Sequence, residues 1–390
     1  MHIDLVFSAL PPALDGIGDY TARLAETLAV NHDVRVLTAR TNAAPIKDAE
    51  VVQAFDNNKR KDIRSLAHSV AAHPPDWLVV QFNQFSYGRW GLNPYLPWTL
   101  RSIQGTHPEV NVAVMFHEDF VPVTNWKNAI MTTWQRAQFW ALGHLADVAF
   151  FSIQPWADRY QSWWPNTPVH HLPVGSNMPF VDLSQAAARE AIGLDPETFI
   201  LGMFGSLHAS RMIEPVRRAV RTVQQETDDF LVLYVGPDGP TLRQTLPGVP
   251  LHDAGRLPAR EVSVHLTAMD AHLAPFSDGV STRRGSFLAG LQQGIATVST
   301  RGPLTDPILS EHDGDAILLA PVDDASEFAK YTLMLYRHPN RRRKIEKQAR
   351  ALHQRYFTWD AIAQQMVKVL KGEVASRSAP SPSAATTEPA

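Results

Sequence analysis

Two arginine-bearing turns stand out as places where the chain could hold an anion. The segment DGVSTRRGSFLAGLQQG, from Asp278 to Gly294, follows the apolar run AHLAPF and leads into helix-forming residues. Ser281 or Thr282 is a good helix N-cap, which predicts Arg283 and Arg284 in the first helical turn. Cations there oppose the helix dipole, at a cost of about 0.3–1 kcal/mol each, and a phosphate held by the free amides reverses that sign. Gly285 and Gly290 weaken a helix by about 1 kcal/mol each relative to alanine, which suits a helix that something must approach closely. The bland alternative is a surface helix with two solvated arginines. The segment FGSLHASRMIEPVRRAV repeats the pattern: a strand ends at Gly205 and a helix begins near Ser210, which places Arg211 in its first turn. Arg217, Arg218 and Arg221 lie further along and read as its solvated face.

Near the N-terminus, LDGIGDYTARLAETLA places Gly16 and Gly18 in a strand-to-helix turn where the backbone could approach a phosphate, with Asp19 able to cap the helix. It is a GxG without its third glycine, and glycine in such a turn is often geometry alone. His117 and Glu118 end the apolar run of MFHEDF, where an imidazole and a carboxylate could hydrogen-bond a substrate or move a proton. Asp313-Gly314-Asp315 matches the carboxylate pair that bridges metal and diphosphate in some enzymes, but it sits in a turn before AILLAP, away from the arginines, so no metal is expected. His170-His171 reads as a strand end. Trp163-Trp164 reads as packing, or as a hydrophobic corner useful only to a lipid-linked acceptor.

Short Val/Ile/Leu/Phe-rich runs separated by segments of helical spacing position these residues, a pattern of parallel strands buried on both faces. In the first half strands are predicted near 2–8, 33–38, 77–82, 110–116 and 147–152, with helices over DYTARLAETLA and NWKNAIMTTWQRAQFWALGHL. The second half restarts the alternation at 199–205, 230–236, 271–276, 296–300 and 316–321. The expected fold class is α/β: two doubly wound parallel-sheet, Rossmann-like domains facing across a cleft. HLPVGSNMPF, broken by Pro173, Gly175, Asn177 and Pro179, reads as the linker. The expected domains are 1–176, 177–357, a C-terminal helix over 358–372 and a disordered Ser/Pro/Ala/Thr tail over 373–390. In parallel folds ligands bind at the carboxyl ends of the strands, where all of the candidate turns lie.

Bulk properties exclude other classes. The 390 residues suffice for two domains, and 44% hydrophobic with 19% charged residues is a globular composition. With 36 basic against 39 acidic residues, nothing calls for nucleic acid. The chain has no cysteine, which rules out disulfides, thiolate metal sites and a cysteine nucleophile, and suits a reducing compartment. MHIDLVFSAL reads as a first core strand, not a secretory leader, so a cytoplasmic location is expected. The longest apolar stretch, Phe139 to Ile153, carries His144 and Asp147 and falls short of the roughly 20 residues that a spanning helix needs.

Taken together, GIGDYT, QFNQFSYGRWGLNP, MFHEDF, SIQPWADRY, LPVGSNMP, FGSLHASR, DGVSTRRGSFLAGLQQG and FTWDAIAQQMVKVL resemble the family-4 retaining glycosyltransferases of the two-Rossmann, or GT-B, architecture. The resemblance covers nearly the whole chain. It implies a hexosyltransferase-type enzyme that moves a sugar, with retention and without a metal or cofactor, from a UDP- or GDP-type donor to a carbohydrate, glycolipid or small-molecule acceptor. By the same resemblance the catalytic candidates are His117 and Glu118. Gly16, Gly18, Arg211, Ser281, Thr282, Arg283 and Arg284 would bind the donor diphosphate, with Arg211 where the family usually has lysine. Gly205, Ser206, Arg256, Leu257, Gly279 and Val280 would line the nucleoside and sugar. Asp19, Asn83 and Tyr87 would lie on the acceptor side, and the last helix would brace the first domain. A peripheral membrane contact is left open, without a membrane span.

One departure concerns the two glutamates that the family commonly carries eight positions apart: here those positions are Ser281 and Ala289. Ser281, Thr282 and Arg284 would then have to replace their hydrogen bonds. The departure keeps a second reading alive, a non-catalytic or altered-chemistry GT-B protein that binds a nucleotide sugar or a partner. A rival from another class, a nicotinamide-dependent oxidoreductase with Arg40 on a 2′-phosphate, fits less well, because it does not explain phosphate-type turns in both halves.

Overall fold

A computed structural model describes residues 1–39, 42–57 and 59–374 of the chain. Contacts divide it into two compact units, Met1–Leu172 with the stretch from Ala363, and Pro173–Ile362. Arg40, and the tail from residue 375, lie outside the described residues.

The first unit is built on seven parallel strands: β1 (His2–Phe7), β2 (Asp33–Ala39), β3 (Glu50–Phe55), β4 (Trp77–Phe82), β5 (Asn111–Phe116), β6 (Val148–Phe151) and β7 (Val169–His171). Their order in the sheet is β3-β2-β1-β4-β5-β6-β7, and every pair is parallel. The helices α1 (Gly16–Ala29), α2 (Leu66–Ala72), α3 (Tyr95–Thr106), α4 (Trp126–Leu145) and α5 (Gln154–Gln161) fill the crossovers. Every residue of β4 is buried, as expected of a strand covered on both faces. The apolar run of β1 admits one charge, Asp4, which is buried and held by Arg35 of β2 through Nε at 2.8 Å and Nη2 at 2.5 Å. A fork-to-carboxylate geometry of this kind is what makes a buried pair tolerable. Phe116, Phe139, Phe151, Tyr160 and Trp164 pack as an aromatic core, and Gly143 of α4 leaves room for the Trp164 indole that any Cβ would strike.

The second unit carries β8 (Phe199–Phe204), β9 (Phe230–Val235), β10 (Leu251–Asp253), β11 (Ala271–Ala274), β12 (Ala296–Arg301) and β13 (Leu318–Pro321) in the order β10-β9-β8-β11-β12-β13, again all parallel. Its helices are α6 (Gln185–Ala191), α7 (Glu214–Gln224), α8 (Gly239–Thr245), α9 (Ala259–Thr267), α10 (Gly285–Gln293), α11 (Pro307–Ser310), α12 (Ala325–Arg337) and α13 (Pro339–Tyr356). The last helix, α14 (Trp359–Leu370), passes into the first unit at Ala363, where Gln365 donates to the His171 carbonyl at 2.7 Å. Two doubly wound α/β sheets are therefore present, as the sequence predicts. The strand order reverses between β1 and β4 in one and between β8 and β11 in the other. These switch points are where parallel folds open a crevice for ligands. Among the described residues no helix is long and apolar enough to cross a membrane.

Candidate functional site

In the second unit the loops after β8 and β11 flank the switch point and meet in a short antiparallel bridge between Arg211 and Phe276. Gly205 makes the turn out of β8 with a φ of 98°, a left-handed conformation that glycine adopts without strain, and Tyr234 donates to its carbonyl at 2.9 Å. Arg211 then folds back beneath the loop: its Nη2 donates to the Phe204 carbonyl at 2.7 Å and reaches Ser286 Oγ at 3.3 Å. The side chain is buried, Nη1 has no partner, and among the described residues no carboxylate pairs with it. Burial, then the neighbouring Arg284, pushes its pKa down to about 10.

Arg283 and Arg284 complete the cluster. Both donate to Asp278, Arg283 at 2.7 Å and Arg284 at 2.9 and 3.0 Å. The guanidinium carbons of Arg211 and Arg284 lie 4.5 and 4.6 Å from the centroid of the Phe276 ring. Two of the three guanidinium groups thus share the Asp278 carboxylate, and Arg211 does not reach it. Burial and then Arg284 and Arg211 also hold His208 below its ordinary pKa, although Asp278 pulls the other way.

The local geometry differs from the expected one. Helix α10 starts only at Gly285, so Arg283 and Arg284 precede it, and α7 starts at Glu214, so Arg211 precedes that helix too. The N-cap inferred at Ser281 or Thr282 does not form, because Asp306, buried and 24 residues away, takes both the Thr282 amide at 2.7 Å and its hydroxyl at 3.0 Å. Ser281 and Thr282 are both fully buried, with the Thr282 hydroxyl tied to Asp306 and Ser281 Oγ without a hydrogen-bond partner among the described residues. Val280 is equally buried in a cluster with Phe276 and Phe287, and Gly279 is pressed against the Gly302 backbone. Ala289 sits in the core, where a glutamate would be an unpaired buried charge. Gly290 admits not a ligand but His272, whose Nδ1 lies 2.5 Å from where a Cβ would stand.

Other second-unit candidates surround the same sheet edge. Ser206 and Arg256 are exposed, and Leu257 packs part-buried against the core on the loop after β10. That loop is tied to the one after β9 by the Gly236 amide, which donates to the Gly255 carbonyl at 2.9 Å. Arg217 pairs with Glu214, and Arg218 and Arg221 line a shallow groove on α7, as a solvated face does. Asp313 pairs with Arg301 at 3.4 Å and accepts from the Leu319 amide, which accounts for its carboxylate structurally. Among the described residues no three His, Asp or Glu side chains gather in a way that could hold a metal.

In the first unit the helix after β1 is capped by Asp15, not Asp19: its carboxylate accepts from the Ile17 and Gly18 amides at 2.8 and 2.9 Å. The Gly18 amide is thus taken up by this cap. A Cβ on Gly18 would lie 2.6 Å from the Ala9 carbonyl oxygen, so this glycine serves its own loop, whereas Gly16 faces open space. Asp19, in the first turn, has its pKa raised by burial and then by Asp15. His117 follows β5 and is buried, its Nε2 2.8 Å from Gln81 Oε1 of β4 and its ring edge-on to Tyr20 of α1 at 4.9 Å. With the Gln81 amide in this orientation its oxygen accepts from Nε2–H, the tautomer that leaves Nδ1 as an acceptor. Burial pushes the His117 pKa down to about 3 and keeps the ring neutral. The next residue, Glu118, is exposed and accepts from Asn83 Nδ2 at 3.0 Å, which brings two candidates together beside the histidine. Tyr87 does not join them: it is buried, with its hydroxyl 2.9 Å from the Val6 and Gln81 carbonyls, and it serves the core.

No protein-family model matches the chain, and no characterised protein matches it by sequence. Solved structures do match it by fold. Sucrose-phosphate synthase from Thermosynechococcus elongatus superposes with a TM-score of 0.73 at 17% identity, over 96% of this chain and 99% of its own. WaaG, a glycosyltransferase involved in lipopolysaccharide biosynthesis, gives 0.67 at 14% identity over 95% and 100%. The fold is GT-B. Anabaena HepE, solved with UDP and glucose, gives 0.65 at 14% identity over 95% and 100%.

The sequence reading missed Asp278, Phe276 and Gln81. Asp278 carried a signal, since an acid five and six residues before two arginines can close a turn onto both. Phe276 and Gln81 carried none, because each acts through a partner brought in from elsewhere in its unit.

Proposed function

We propose that the protein is a metal-independent glycosyltransferase that takes a hexose from a UDP- or GDP-type donor and transfers it with retention, as the family-4 enzymes do. The observation that carries the reading is Arg211, a buried cation without a counter-ion, set beside Arg283 and Arg284 at the switch point of the second sheet. Leaving a charge buried and unpaired is costly, and a diphosphate supplies the missing partner. Its arrival would also free Asp278 from neutralising the two exposed-side arginines. Arg256, Leu257 and Ser206 stand on neighbouring loops and are proposed to line the nucleoside.

As the glycosidic bond to phosphate breaks, negative charge grows on the leaving oxygen, and fixed guanidinium groups stabilise it. In the first unit, neutral His117 is proposed to accept a hydroxyl hydrogen bond through Nδ1, while Gln81 fixes its tautomer. Glu118 with Asn83 is proposed to orient the acceptor, a carbohydrate, glycolipid or small molecule. A ring held neutral down to about pH 3 is a poor reservoir for a proton, which suits a front-face reaction in which the leaving phosphate oxygen takes the acceptor proton.

Calorimetry of the purified chain with UDP and GDP, in EDTA and again with magnesium, tests the donor reading. Binding of one nucleotide irrespective of metal is expected. Absence of binding to either would overturn it. The buried Ser281 and Ala289 in place of carboxylates favour one second reading, altered chemistry or binding alone. Tight nucleotide binding without hydrolysis or transfer of any nucleotide sugar would establish that reading instead.

A further inference from the structure

Helix α4 carries large apolar groups on both of its faces. Its buried stripe is Thr132, Gln135, Gln138, Phe139, Leu142 and Gly143, half of it polar. Its solvent stripe runs Trp126, Ile130, Thr133, Ala137 and Trp140, spaced four, three, four and three residues apart along one face. Trp126 is 70% exposed, Ile130 50% and Trp140 51%. A globular surface does not ordinarily present its largest apolar groups in a row.

The neighbouring elements extend the pattern. α4 packs against α3 and against the short turn Arg89–Gly91. Trp98 of α3 is 57% exposed and Trp90 of the turn 62%. Trp90 takes a φ of 61°, strained for a bulky residue, and its carbonyl accepts from Trp134 Nε1 of α4 at 3.1 Å. The strain holds an indole outward, where folding alone gains nothing from it. Three of these exposed rings each carry a cation: Lys127 lies 5.7 Å from Trp126, Arg89 lies 5.1 Å from Trp90 and Arg64 lies 5.9 Å from Trp98. Neither 83–108 nor 120–146 contains a single Asp or Glu, in a chain whose formal net charge is −3.

We propose that this face of the first unit docks on the surface of a bilayer that contains anionic lipid, with α4 lying in the interface plane. Indoles settle at the depth of the headgroups, long cationic stems reach from there to the phosphates, and the two acid-free segments add no negative charge of their own to the contact. The helix cannot cross the membrane, so the contact is peripheral and reversible. The inference stands apart from the nucleotide reading, since its test needs neither donor nor acceptor.

The full chain is mixed with vesicles of phosphatidylcholine alone and of phosphatidylcholine with phosphatidylglycerol, and the bound fraction is measured by flotation. Binding to the anionic vesicles, weakened by salt, is expected. The triple variant Trp126→Ser, Ile130→Ser, Trp140→Ser should lower the partition coefficient by about tenfold or more, and Arg89→Glu with Lys127→Glu should remove the preference for anionic lipid. All five positions are exposed, so thermal unfolding should stay close to that of the parent. Quenching of the parent's tryptophan fluorescence by brominated lipid gives a second readout that needs no variant. A parent chain that leaves both kinds of vesicle unbound and unquenched overturns the proposal, as does a triple variant that binds as well as the parent. A parent dimer that the triple variant dissociates, with no vesicle binding by either, would assign the face to a second copy of the chain.

Discussion

Arg211 stacks on Phe276, its guanidinium carbon 4.5 Å from the ring centroid, so that a permanent cation is held on an aromatic face and against backbone instead of a carboxylate. Cation–π contact of this kind returns about 0.5–2 kcal/mol, less than desolvation of the charge costs. The position is therefore tuned for something other than stability.

Replacing Arg211 should separate function from stability. Arg211→Met is expected to raise the stability of the free protein by about 1 kcal/mol, read as a Tm increase of about 2–4 °C, because an uncompensated cation leaves the interior. The same variant should weaken nucleoside diphosphate binding about tenfold to a hundredfold by calorimetry. A lower Tm with unchanged affinity would reduce Arg211 to a structural residue.

Asp278 is the carboxylate that an incoming diphosphate must displace from Arg283 and Arg284. Asp278→Asn keeps the shape of the turn and removes the competing charge. Inorganic pyrophosphate should then bind several-fold more tightly at low salt, and the advantage should shrink as ionic strength rises. Weaker binding at low salt would mean that Asp278 holds the arginines in place for the ligand.

The sheets were legible because most of their strands are continuous apolar runs, and α4 because Asn125 caps it and its length is unbroken. β3 escaped notice because it packs along β2 alone at one end of the sheet and its outer half is only part-buried, and β10 because it is three residues long. Which arginines gather at the second switch point was legible from their spacing; how they are held was not. Thr282 looks like a cap in the local sequence, and only Asp306, distant in the chain, makes it a buried tether. Tyr87 sits in a polar loop sequence, yet its hydroxyl reaches two strand carbonyls, a closure that no local pattern encodes.

His117 should matter to transfer more than to binding. His117→Ala is expected to lower kcat about a hundredfold while nucleotide affinity stays within about threefold of the parent. Gln81→Leu, which leaves the ring in place but unfixes its tautomer, should produce a smaller loss of kcat and no change in fold by circular dichroism. The pH–rate profile of the parent should show no inflection near pH 6.5, since the ring stays neutral down to about pH 3. An inflection there that vanishes in His117→Ala would assign proton transfer to this residue.

Acid sensitivity of the fold should trace in part to His272. Burial, then Arg211, pushes its pKa down to about 3, and both ring nitrogens are buried without a partner against Gly290. The unfolded chain binds a proton at this position below about pH 6.5, the ordinary histidine value, and the folded chain does not. Stability therefore falls as pH drops from there towards 3, by up to about 1.4 kcal/mol per pH unit for this residue. His353, lowered to about 4, and His117 act in the same direction, whereas Glu346, raised to about 6, opposes them. His272→Gln removes one titration without introducing a charge, so the fall in Tm between pH 6 and 4 should become shallower than in the parent. An unchanged slope would show that His272 gains a proton in the folded state and that the pocket beside Gly290 accommodates its charge.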